Sequence, residues 1–437
     1  MGCGEHSNAR QAALDFKCNG DPLPADFTHV GCCVTPGIHP APAALVTTLA
    51  LMCACEPQPS VGDLALAPDE SYDVVKTEIA DGLVYWKMYS EVDKQRLHVV
   101  VADLSQPDLK LDAETSNDSL FGFERTSEIF RRLRTGGEKP LVAINADFWH
   151  RDGAPVGMFV DDGQIWRGPW YGTGDESGVT RSIFAFNTDS EVALGLPQYD
   201  LSLTLPDQSV IEIADVNLSE SDNRSMVFTD RYPAGVPVSA GWEYLSFLSA
   251  AGTWIPNEPL RLTYSGSIEQ SRKVARGEVV VALPDSTAEV IEREPSGDFL
   301  LLAQLNNLQT PVDGVLGALP RLIVTSGDSV VVDPVRFASE EGVRANFVTD
   351  FHPRTAIGYD EDLNWLYLVA VDGRSESAAG IDLVKLAHLF REWGCELALN
   401  FDGGGSTTMV VDGAVVNSPS DRGGERPVSN SLLLRER

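Results

Sequence analysis

A chain of 437 residues with 64 acidic against 33 basic side chains carries a formal net charge of −31. A field of that sign repels phosphate backbones and anionic membrane surfaces, so nucleic acid is not an expected partner, although a compact anion can still be held by a local arginine or by backbone N–H groups. Hydrophobic residues at 43% and charged residues at 22% are ordinary for a globular chain, long enough for one large domain or two modest ones.

Six of the seven cysteines (Cys3, Cys18, Cys32, Cys33, Cys53 and Cys55) fall in the first 55 residues, and Cys395 stands alone downstream. The downstream part therefore has no internal disulfide, and without a C-x-x-C pair or a histidine cluster a structural zinc site has no support. Residues 1–40 lack a hydrophobic period and read as disordered or as an over-extended gene start. Residues 41–55, "APAALVTTLALMCAC", form an apolar run too short to span a bilayer but of signal h-region length. Its end, Met52-Cys53-Ala54-Cys55, has the outline of a loose lipobox. The expectation is an exported, periplasmic or extracellular envelope lipoprotein, tethered to the membrane through lipidated Cys55. Residues 56–72, rich in Pro and acids, read as a linker.

From residue 73 to 437 the pattern is that of one strand-rich catalytic domain, mixed α/β (α+β), with mixed sheets and a few helices. "GLVYWKMYS", "RLHVVVADLS" and "LKLDAETS" alternate or run apolar at strand length. "RTSEIFRRLRTGG" predicts a short helix with Thr126 or Ser127 as N-cap and Gly136 beyond its end. "PLVAINADFW" is a buried strand ending in a polar tip, and "GMFVDDGQIWR" is a hairpin turning at Asp162-Gly163. Many short strands follow between about 181 and 335. The last third reads as strand, turn, strand, helix, strand, glycine turn and hairpin. Its helix, "IDLVKLAHLFREWG", is capped by Asp382, ended by Gly394, and carries Ile381, Val384, Ala387, Leu389 and Phe390 on one face.

Four strand ends carry polar tips, and together they suggest one shared rim. In "NFDGGGSTTMVVDG" a buried strand delivers Asn400 and Asp402 onto Gly403, Gly404, Gly405 and Ser406. Glycines let backbone N–H groups approach oxyanion oxygens without Cβ interference, and three in succession cost more chain entropy than a plain turn requires. No Lys-Ser/Thr follows them, so this is not a P-loop and no nucleotide cofactor, or any other, is expected. "FHPRTAIG" sets His352, Arg354 and Thr355 before a second strand, Arg354 offering a fork matched to phosphate, with a solvated surface loop as the plain alternative. "VDGRSESAAG" places Asp372 and Arg374, and "NADFW" places Asn145 and Asp147. "YDEDLNW", with Asp360, Asp362 and Asn364, lacks the glycine and closing glutamate of a calcium loop and reads as a hairpin turn.

These strings in their order, with "GERPVSNSLLL", resemble the phosphodiester glycosidase family over about residues 75–435, most strongly from Asn346 to Leu434. The segment "LGALPRLIVTSGD" is poorer in glycine than the family's, and "VSAGWEYLSF" matches a Glu-bearing strand only loosely. The resemblance implies hydrolysis of a sugar C1–O bond whose leaving group is a phosphate monoester or another envelope or extracellular glycan group. A phosphate departs readily as an anion, so one carboxylate at the oxocarbenium-like centre and donors on the phosphate carry most of the work. On that reading Asp402 is nucleophile or base, Glu243 or Asp372 its partner, and Arg354 with the Gly403–Ser406 amides holds the phosphate. Asn145, Arg374 and Asn400 orient the sugar or phosphate, and no metal is called for. Two other classes stay open. A metal-dependent phosphodiesterase would show more histidine and aspartate ligands, and a non-catalytic glycan-binding envelope protein would use Trp149, Trp166 and Trp170 as platforms.

Overall fold

The computed structural model describes residues 59–64, 66, 72–169, 181–218, 224–308 and 311–437. The N-terminal stretch, the signal-like run and Cys55 lie outside the described residues. So does Trp170.

Two sheets back to back place the site. The first has eight strands in the order Asp73–Ala80, Leu83–Ser90, Gln95–Asp103, Trp365–Val371, Arg354–Asp360, Leu397–Asn400, Arg321–Ser326 and Ser329–Val332. The second has five: Ala414–Val415, Met409–Val411, Pro140–Asn145, Asn430–Glu436 and Leu109–Thr115. Every neighbouring pair in both is antiparallel. Strand alternation explains the layering, since successive side chains face opposite sides. Val100, Ala102, Ile357, Leu366, Leu368 and Leu399 of the first sheet meet Leu111, Val142, Ile144, Met409, Leu432 and Leu434 of the second in one buried cluster.

The outer face of the first sheet is covered by the helix Leu383–Glu392. The Asp382 side chain accepts from the Lys385 amide at 2.8 Å, and Gly394 turns the chain in the left-handed region after it. A cap of this kind is worth about 1 kcal/mol. The face it buries is Leu383, Leu386, Ala387, Leu389 and Phe390, with Val384 partly covered. Val61, Leu66 and Tyr72 join the same cluster, and the Trp393 indole donates to the Leu66 carbonyl at 2.8 Å. Part of the stretch read as a linker is therefore core, because its few apolar residues find a groove beside this helix. The outer face of the second sheet is covered by Thr126–Gly136 through Ile129 and Phe130. Its N-cap is Arg125, not the expected Thr126 or Ser127, because Glu128 reaches back to the Arg125 amide.

The Asp162-Gly163 hairpin forms as expected, both residues at positive φ between Phe159–Asp161 and Gln164–Arg167. It belongs to a second five-stranded sheet that also holds Val312–Ala318, Ser182–Asn187 and Val192–Gly195. A further eight-stranded sheet, built between Tyr199 and Leu305, packs its own core against that one. The helix Asp285–Arg293 in this region had no clear sequence signal. The turn at Asp360 is a plain hairpin: the Asp360 carboxylate accepts from the Leu363 amide, and Asn364 sits at positive φ.

Candidate active site

Residues 401–408 are the crossover between the two central sheets, leaving the strand Leu397–Asn400 and entering Met409–Val411. That is why one loop lies against strand ends from both. The Asp402 amide donates to the Ala146 carbonyl at 2.8 Å, and the Asn145 side-chain amide donates to the Asp402 carbonyl at 2.7 Å. The "NADFW" tip and the glycine loop thus run side by side.

Each of the three glycines has its own steric reason. A Cβ at Gly403 would stand 2.7 Å from the Pro353 carbonyl oxygen, and one at Gly404 (φ +63°) would meet the Arg374 guanidinium at 2.9 Å. One at Gly405 would run into both Arg426 and Asp421. Bare backbone here admits two guanidinium groups. Of the backbone donors expected to face an anion, the Gly404 amide is engaged by the Pro353 carbonyl and the Ser406 amide by the Gly403 carbonyl.

Asp402 is half-buried, and desolvation pushes its carboxyl up to about 6 although Ser406, Arg426, the Gly403 amide and Trp149 pull the other way. Arg426 is clamped two-pronged on Asp421, with N–O distances of 2.7 and 3.0 Å, and its remaining nitrogen lies 3.4 Å from the Ser406 hydroxyl. A second carboxylate stands close by. Asp147 is almost wholly buried, and burial raises it to about 7 with a further push from the Asp402 charge. Its backbone amide donates to the Asn430 side chain, and its carboxylate accepts from the Gly157 amide at 2.8 Å. Gly157 and Gly317 leave it room: a Cβ on either would lie within 3.0 Å of the carboxylate. Trp149 meets Phe123 edge-on at 5.0 Å, so an aromatic wall adjoins the two acids.

Other expected site residues face inward. Arg354 is 1% exposed, donating to the carbonyls of Phe347 (2.5 Å), Asp350 (2.9 Å) and Ile381 (3.3 Å) with its guanidinium over the Phe347 ring. Asn145 is a buried hub whose side-chain oxygen accepts from the Thr355 hydroxyl at 2.8 Å and the Thr408 amide at 3.0 Å. Asn400 is buried and donates to the Leu319 and Phe401 carbonyls. Arg374 differs: it is exposed, at positive φ, and lies over Gly404. His352 stands beside it, its ring held below the ordinary histidine range by burial and by the charges of Arg354 and Arg374.

Of the two expected partner carboxylates, Asp372 is engaged by partners of its own and Glu243 lies on another sheet. Burial raises Asp372, but His98 at 3.3 Å, the Ser418 amide at 2.7 Å and Asn417 outweigh it and bring the group below its usual range. His98 in turn meets the Tyr85 hydroxyl at 2.7 Å, so Asp372 is the buried end of a Tyr-His-Asp chain. Glu243 sits in the strand Trp242–Ser249 of the far eight-stranded sheet. Desolvation raises it first, then Glu292, Asp285 and Glu269, none of them from the Asp402 group. Trp166 is buried against Phe159 beneath the Arg231 guanidinium and offers no platform.

Residues 256–435 match the family model described as phosphodiester glycosidase. That segment, less than half of the chain, is similar to the phosphodiester glycosidase family. It contains Arg354, Asp372, Arg374, Asp402 and Arg426, whereas Asn145, Asp147 and Glu243 precede it. An uncharacterized SPbeta prophage-derived protein of Bacillus subtilis is 42% identical over 83 residues, which is 19% of this chain and 13% of that one. The N-acetylglucosamine-1-phosphodiester alpha-N-acetylglucosaminidase of Mus musculus is 38% identical over 82 residues, or 19% of this chain and 16% of that one. The aligned stretches thus span less than a fifth of either curated relative. A hypothetical protein from Synechocystis shares the fold, with a TM-score of 0.62 at 18% identity over 84% of this chain and 64% of that one.

The sequence sets Asp147 on the shared rim without pointing to a catalytic role, and gives no sign of Trp149 as an acid's neighbour or of Arg426. Asp147 was visible as the carboxylate of "NADFW". Arg426, in "GGERPVS", had no local signal, because it reaches the site only through the return of the last strand.

Proposed function

We propose that the chain hydrolyses the C1–O bond of a sugar-1-phosphodiester. The observation that carries this reading is the Asp402–Asp147 pair beside two guanidinium groups that the glycine loop admits. Asp402 faces the anomeric carbon as nucleophile or as base on water, and Asp147 stands behind it as the partner carboxylate. Arg374 and Arg426 hold the phosphate, in place of the enclosed Arg354. The C1–O bond breaks with its electron pair staying on the phosphate oxygen, while the incoming oxygen comes from water. The similarity to the mouse N-acetylglucosamine-1-phosphodiester alpha-N-acetylglucosaminidase supports N-acetylglucosamine as the sugar to try first. Hydrolysis in oxygen-18 water should place the label on the sugar's C1 hydroxyl, and label in phosphate would overturn the reading. Asp402→Asn keeps the shape and removes the charge, so kcat should fall at least about a thousandfold, on the order of 4 kcal/mol.

We also propose export with lipidation at Cys55, on the apolar run that ends there. The full chain should partition into detergent with the envelope fraction, and Cys55→Ser should release it. An intact N-terminus on a cytoplasmic protein would refute this.

A further inference from the structure

An open cleft of about 350 Å³ adjoins the Asp402 rim, and the hydrolytic step above makes no use of it. Two of its walls belong to the site. The Leu319 amide donates at 2.7 Å to the carbonyl of Asn400, two residues before Asp402. The Phe347 ring lies 6.1 Å from that of Phe148, the residue after Asp147. A group bound here would be one step beyond a phosphate held over Gly404.

The charge of the cleft runs against that of the chain. Arg181 and Arg344 line it, with Asp350 the one acid among its lining residues, in a protein with nearly twice as many acidic as basic groups. Arg181 is fixed in direction by donating to the Glu341 carbonyl at 2.6 Å. Arg344 is exposed and makes no ion pair among the described residues. Asn346 adds an amide, and the Nδ1 of His352 is buried without a hydrogen-bond partner. A planar guanidinium with a free edge, a second cation and neutral donors around a concave surface match a phosphate better than they match a neutral sugar face.

We propose that this cleft is a subsite for a second phosphate, carried on the leaving side of the substrate. The preferred aglycone would then be itself a phosphate ester. The proposal rests on the hydrolytic reading of Asp402, so its test has two parts. The first compares two diesters with the same sugar and scissile phosphate, one with a methyl aglycone and one with a glyceryl phosphate aglycone. Arg344→Gln should raise KM about tenfold more for the second than for the first, an effect that fades with added salt. Equal effects on both substrates would overturn the subsite.

The second part needs no turnover. Glycerol phosphate titrated into the full chain by calorimetry should bind at least about fivefold more weakly to the Arg344→Gln protein than to the natural one. Absent binding, or unchanged affinity, would overturn the proposal. If neither diester is hydrolysed while the titration still depends on Arg344, the catalytic reading fails and the subsite stands.

Discussion

At the scale of single residues the pair of acids matters most. Two interacting carboxyls lose their protons in steps that belong to the pair, here near 6 and 7. If Asp402 must be charged and Asp147 protonated, kcat/KM should be bell-shaped, with limbs near those two values. Asp147→Asn keeps a neutral donor of the same shape that cannot ionise. Its profile should keep the acid limb and lose the alkaline one. A variant profile that is still bell-shaped would assign the pair to other groups. Stability carries the same signature with a definite sign. Folding raises Asp147 above its ordinary carboxylate range, so its contribution is full at low pH and is lost as pH rises toward 7. The melting temperature of Asp147→Asn relative to the natural protein should therefore climb as pH rises from 4 to 8.

At the scale of elements, the segment from Ala345 to the strand Arg354–Asp360 shows how a motif residue can serve the scaffold. The short helix Ala345–Thr349 and the loop after it leave carbonyls at Phe347 and Asp350 that no strand partner could satisfy. Arg354 supplies those donors and, through Ile381, ties the segment to the start of the helix Leu383–Glu392. Lysine cannot bridge three carbonyls with one nitrogen in that geometry. Arg354→Lys should cost about 3 kcal/mol of stability, since hydrogen bonds to a charged group contribute about 1.5–3 kcal/mol each and orphaned buried acceptors add to the loss. Its activity should fall to the same extent on phosphodiesters and on activated aryl glycosides. A selective loss on phosphodiesters with unchanged melting would return Arg354 to the phosphate.

At the scale of the whole molecule, strand alternation assembled a group that sequence spacing concealed. Asp112 and Glu114 share a face of one edge strand, and Asp161 approaches from another sheet, bringing three carboxylates within 4.8 Å. Arg435, Lys110 and Arg132 pull Asp112 or Glu114 down against the burial that raises them. None of the three acids interacts with Asp402 or Asp147 in the balance of charges around that pair. Hydrolysis should accordingly survive exhaustive EDTA with less than about a twofold loss of rate, under about half a kcal/mol of barrier. Loss of activity with rescue by one divalent ion would move the chemistry to a metal-dependent class.

Local pattern alone determined a good deal of this protein. The hairpin at Asp162-Gly163, the Asp382-capped helix, the strand-rich grammar and the prominence of Asp402 all follow from periods of two or 3.6 residues and from turn chemistry, which act over a few positions. The order of strands in the sheets acts over hundreds. It alone set Asp147 beside Asp402, brought Arg426 back to the glycine loop, turned Arg354 and Asn145 inward, and left Glu243 on another sheet. Side-chain direction at a strand end depends on which neighbouring strand leaves a carbonyl or amide unpaired. That is decided by tertiary pairing, because most buried donors and acceptors find a partner once the sheets have closed.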